Sequence, residues 1–177
     1  MTKFLLSVHV LAAILAIGPV AVAASLFPRA VKETAGDPAR SGADGGQPPL
    51  GGWVTAAFLH RICRVYAVVG VSVPVFGIAT GAQLGVLTDA WLLVSLLLTT
   101  AAAVVLGALI LPGQERLLAT ADTAGTPAAG TPGAGAPRTP GPRAAAARLA
   151  MLTGIFNLLW AVVVVLMIVR PGSTTSA

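Results

Sequence analysis

The segment WLLVSLLLTTAAAVVLGALIL, residues 91–111, contains no charged residue and no proline. At a rise of 1.5 Å per residue, a helix of this length covers about 30 Å, the thickness of a bilayer's hydrocarbon core. Lipid offers no partner for backbone polar groups, so a segment of this kind must satisfy them internally, and a helix does so. Three further stretches read the same way: Phe4–Phe27, Val65–Leu87 and Ala150–Val169. Allowing for their flanks, the sequence predicts spans over about 4–27, 60–82, 91–111 and 149–169. The expected fold class is all-α, a four-helix transmembrane bundle with two disordered cytoplasmic loops.

Composition agrees. Of 177 residues, 56% are hydrophobic and only 10% charged, and the mean hydropathy is +0.88. A soluble core of this size could not bury four such helices with so few charges outside. The net charge of +5 does not point to nucleic acid, because the basic residues flank the apolar stretches and are explained by the enrichment of Lys and Arg in cytoplasmic loops. Arg29, Lys32, Arg40, Arg61 and Arg64 lie between the first span and the hydrophobic part of the second, and Arg116, Arg138, Arg143 and Arg148 between the third and fourth. The opposite side has only Lys3 and Arg170. Both termini are therefore expected outside, and both long connections inside.

Lys3, the apolar run after it and Ala21-Val22-Ala23 imitate a secretory signal. Retention is expected instead, since the run is longer than a signal's apolar core and cleavage would export a basic loop. Residues 33–52 are glycine- and proline-rich and read as a flexible loop. Residues 113–147, with Gly125-Thr126-Pro127, Gly130-Thr131-Pro132 and Pro140-Gly141-Pro142, read as disordered, because this composition buries too little apolar surface to offset chain entropy.

The short connection at Thr88-Asp89 predicts an antiparallel hairpin of the second and third spans. Small residues spaced four apart mark expected helix contacts: Ala12 with Ala16, Gly77 with Gly81, and Ala103 with Gly107. Pro74 should bend the second span by removing one backbone donor. Asn157 is expected to hydrogen-bond across helices.

Chemistry must come from the few polar groups in or beside the spans. His9 stands out, about 7–8 Å inside the start of the first span at the helical rise; it is a candidate ligand for a metal or haem, or a proton carrier. His60 and Arg64 share a helix face, with Arg61 turned away; the three are candidates for lipid headgroups or another anionic ligand. His9 and His60 cannot hold one iron between them, because opposite membrane depths separate them by about 15–20 Å. Cys63 is the only cysteine, which excludes an internal disulfide. No Gly-x-Ser-x-Gly, phosphate-binding loop or His-Glu-x-x-His pattern occurs, so hydrolase, nucleotide-driven and zinc-protease chemistries lack their residues.

The opening Phe4-Leu5-Leu6-Ser7-Val8-His9-Val10-Leu11-Ala12-Ala13-Ile14 with Gly18, and Leu109-Ile110-Leu111-Pro112-Gly113-Gln114-Glu115-Arg116-Leu117, resemble the domain-of-unknown-function 2269 family of predicted bacterial integral membrane proteins. That resemblance implies four spans in a bacterial cytoplasmic membrane. The spacing of His9 and Gly18 is also similar to the first helix of the copper-resistance D family and of the haem-containing protoporphyrinogen oxidases of the J type, which would imply copper or haem b at His9. Three functions are therefore expected to compete. The first is a non-enzymatic structural or accessory component of a membrane complex, partnered by lipids and by copies of itself or other subunits. The second is a haem- or copper-linked redox protein, and the third a small oligomeric transporter.

Overall fold

The computed structural model describes residues 2–35, 50–124 and 141–172, and no strand occurs among them. Helix α1 (Thr2–Ala35) continues without interruption through Pro19 and Pro28. Its inward stripe is Ala16, Val20, Ala23, Ala24, Phe27 and Val31, each at most 2% exposed. This alternation of three- and four-residue steps is the seam of helices packed nearly parallel. The opposite face exposes Phe4, Leu11, Ile14, Leu15 and Val22.

Helices α2 (Leu50–Gly70) and α3 (Ser72–Leu84) form one apolar rod interrupted at Val71. Pro74 explains the interruption: it has no N–H to offer the Gly70 carbonyl, and its ring crowds that carbonyl. Val71 N–H instead bonds the Val68 carbonyl at 3.2 Å, one residue short of the helical pattern. The rod ends at Gly85, whose φ of 70° is left-handed. Val86 N–H reaches back to the Gly81 carbonyl at 3.1 Å, the bonding of a glycine-terminated helix end. The chain then turns into α4 (Ala90–Val104), making the expected hairpin.

Helix α4 runs into a π-helical stretch, Val105–Ile110, and then α5 (Leu111–Ala124). Pro112 accounts for the irregularity, since it denies the preceding turn a donor. Leu111 N–H bonds the carbonyl of Leu106, five residues back. Helix α6 (Pro142–Val169) starts with proline in the first turn, where a missing donor does no harm. Hydroxyls inside the apolar helices bond back to the previous turn, as Thr80 does to Phe76, Ser95 to Trp91 and Thr99 to Ser95, at 2.7–2.8 Å. No hydroxyl of this set is left for lipid to solvate.

Four helical segments, Lys3–Lys32, Gly51–Leu84, Ala90–Ala121 and Pro142–Val169, are long and apolar enough to cross a membrane. Helix α1 packs along α2, α3 and α6, and α4 packs on α6, whereas α3 and α4 scarcely touch beyond their connecting turn. The bundle is therefore asymmetric along its length. The main core, including Phe27, Val31, Ala56, Leu59, Ile110, Leu117, Ala146 and Leu149, fills the end that holds His60. Toward His9 the helices diverge around open space.

The helices run past the apolar windows that reveal them. Residues 33–35, 50–52, 113–124 and 142–147 are helical, correcting the loops expected over 33–52 and 113–147. The reason is packing: Leu117, Ala146 and Leu149 are buried, so the flanks gain a shared core that their composition alone conceals. Residues 36–49 and 125–140 of those expected loops lie outside the described residues.

Candidate functional site

The open half of the bundle encloses a cavity of about 510 Å³, walled by all four apolar segments. Leu6, Ile17, Leu92, Leu96 and Val163 supply apolar surface, His9 a ring, and Arg170 a charge. A second cavity of about 280 Å³ follows it along the helices, sharing Ile17, Pro74, Thr99 and Trp160 as its partition. The indole N–H of Trp160, within that partition, is buried without a hydrogen-bond partner.

His9 is held in one orientation by α3. Its Nδ1–H donates to the Val73 carbonyl at 2.9 Å, so in the neutral ring the lone pair resides on Nε2. The ring rests on Gly77: a Cβ added there would fall 2.9 Å from Cε1 and 3.3 Å from Nδ1. Gly77 is thus glycine because an imidazole occupies the place of its side chain. Gly81, one turn on, similarly accommodates Leu92, whose methyl would meet an added Cβ at 2.9 Å.

His60 sits in the packed half. Only 8% exposed, it donates from Nδ1 to Gln114 Oε1 at 2.9 Å, while Nε2 stands 3.6 Å from the half-exposed carboxylate of Glu115. Gln114, 1% exposed, directs its amide toward Cys63 Sγ at 3.9 Å. This polar cluster joins α5 to α2. Val73 follows His60 by thirteen residues, so the two histidines lie about 20 Å apart along the rod, and the structure keeps them in separate sites.

Several expected groupings change. Arg61 and Arg64 are exposed, while His60 turns inward and is buried. His60 and Arg64 stay one turn apart on α2, but the His60 ring is bonded to the buried amide of Gln114. Gly107 faces outward with nothing near an added Cβ, and Ala103 is exposed beside the smaller cavity; α4 presents Ser95 and Ala102, and the π-helical stretch Leu106, to the interior. Ala16 is buried, 4.0 Å from where a Gly70 side chain would begin, and Ala12 is half-buried. Asn157 donates to Ser25 Oγ across α6 and α1 at 3.4 Å.

Gln114 is the site residue that sequence reasoning missed. Its signal was present: Leu106, Ile110, Gln114 and Leu117 form one stripe at helical spacing, and a polar residue in an apolar stripe must find a buried partner. Among the described residues, no three His, Cys, Asp or Glu side chains gather as a metal site would require. Comparison of the chain with protein-family models, with curated proteins and with solved structures finds no match.

Proposed function

We propose that this chain is a multi-pass protein of a bacterial cytoplasmic membrane, akin to the domain-of-unknown-function 2269 proteins. We assign it a non-enzymatic, accessory role: holding a hydrophobic ligand inside its bundle. The observation that supports this reading is the unequal packing of the two halves, with an apolar cavity of about 510 Å³ beside a histidine fixed by Val73 and Gly77. Such a volume is typical of small-molecule sites, and the packed core around Phe27, Leu59 and Ile110 leaves no comparable space there among the described residues. Arg61 and Arg64, exposed at the other end, fit headgroup contacts in this arrangement.

A second reading, haem at His9, is favoured by the Nδ1–H bond to Val73. Ligating histidines are oriented in this way by a partner on the other ring nitrogen. Haem brings four nitrogens of its own and needs few from the protein, whereas copper held by side chains would need more donors than surround His9. If bound, haem would supply one-electron chemistry; the chain's part would be to orient the imidazole and exclude water. Transport finds less support, because the filled His60 end leaves a single chain without a continuous path.

The test is a reduced-minus-oxidised spectrum of the protein in mild detergent, together with mass analysis of its organic extract. A stoichiometric hydrophobic compound is the expected result, and a protein that yields none overturns the ligand reading. A Soret band that persists in His9→Ala would remove His9 as the iron ligand. Orientation is checked separately with Gly130→Cys in a Cys63→Ala background. With the 125–140 connection inside, a membrane-impermeant maleimide should label it only after the cells are opened; labelling in intact cells reverses the topology.

A further inference from the structure

Arg170 ends α6 in an unusual way. It is the one residue other than glycine with positive φ among the described residues, at 44°, a left-handed conformation that side chains make unfavourable. The backbone turn brings its guanidinium over the Trp91 ring, 5.6 Å from the centroid. Its Nε donates only a long bond, 3.4 Å, to the Met167 carbonyl. Among the described residues it has no carboxylate partner: the nearby Asp89 accepts instead from Trp91 Nε1 at 3.0 Å. An arginine with donors to spare is therefore stacked on an aromatic ring at the boundary of an apolar cavity. Helices α3 and α4, which both line that cavity, pack only sparsely on each other.

We propose that the cavity binds an anionic phospholipid, its phosphate on Arg170 and one acyl chain lying past His9 toward Trp160. This rests on the ligand-holding role above and specifies its chemistry. The planar guanidinium matches phosphate with paired donors. Trp91 and Arg170 are the residue types that lie at headgroup depth. The apolar walls, with the second cavity in line beyond Trp160, suit a chain longer and more flexible than a compact ring system.

The test uses the full-length protein, reconstituted in equimolar phosphatidylcholine and phosphatidylglycerol and then released for native mass spectrometry. The wild type should retain phosphatidylglycerol in preference to phosphatidylcholine. Arg170→Gln should lose about tenfold in that preference, as expected for one charge-assisted contact, and Arg170→Lys should restore part of it. Ala13→Phe, or Leu96→Trp as a second filling variant, should abolish retention of either lipid while Arg170 remains in place. Equal retention of the two lipids by the wild type, with loss on filling, would overturn the anionic specificity but keep the ligand-holding role. Retention unaffected by both filling variants would overturn the cavity as the binding place, and undiminished preference in Arg170→Gln would overturn the role of Arg170.

Discussion

Gly77→Leu is expected to displace His9 and loosen α1 from α3. An added Cβ already falls 2.9 Å from the His9 ring, inside van der Waals contact, and leucine adds three more heavy atoms in the same direction. The imidazole must swing away, breaking its bond to the Val73 carbonyl. Overpacking and one lost hydrogen bond together should lower stability by about 2–4 kcal/mol, read as a fall in the thermal midpoint in mild detergent. Gly107→Leu is the matched control: it faces open space and should change stability by less than about 0.5 kcal/mol. Both glycines belong to small-residue patterns of the same kind, so a large effect at one and none at the other distinguishes contact from composition. Equal effects would mean that the bundle packs differently from the structure described. Any ligand held through His9 should be lost from Gly77→Leu and kept by Gly107→Leu.

Gln114→Ala should detach the start of α5 from α2. The substitution removes a fully buried side chain and leaves His60 Nδ1–H without its acceptor. The void and the unpaired donor should together cost about 2–4 kcal/mol. Gln114→Met separates the two contributions. It nearly restores the volume but offers no acceptor, so its remaining loss, about 1–3 kcal/mol, measures the unpaired histidine. Backbone amides of α5 should also exchange faster with solvent in both variants. Unchanged exchange would show that Leu117 and its apolar neighbours hold α5 without the polar cluster.

Much of this architecture is legible in the sequence because the strongest signal, a long uncharged apolar run, is also the one that decides the fold. Trp91–Leu111 requires no knowledge of its neighbours to be read as a helix. Pro74 and the Thr88-Asp89 connection likewise act locally, and the break at Val71 and the α3–α4 turn occur where local rules place them. The flanks at 113–124 and 142–147 were not legible, because their helicity depends on Leu117, Ala146 and Leu149 meeting one another across the bundle. His9 was conspicuous as a polar residue in an apolar run, yet its partner is a backbone carbonyl sixty-four residues away, which no side-chain motif encodes. His60 was read through its sequence neighbours Arg61 and Arg64, whereas its environment is set by a glutamine fifty-four residues on.

The π-helical stretch also fixes a rotational phase. Successive residues of an α-helix point about 100° apart, and each wide turn at Val105–Ile110 delays that rotation by a residue before α5 begins. Gln114 meets His60 only because the phase is delayed by this amount. Rewinding 105–110 as a regular α-helix with the same number of residues would turn α5 by about 100°, carrying the amide of Gln114 away from the imidazole, whereas removing a single residue from the stretch would let it rewind with α5 in its present phase. The irregular turn therefore acts as an indexing step between two otherwise ordinary helices, and the identity of the buried polar pair is encoded in a residue count as much as in residue type.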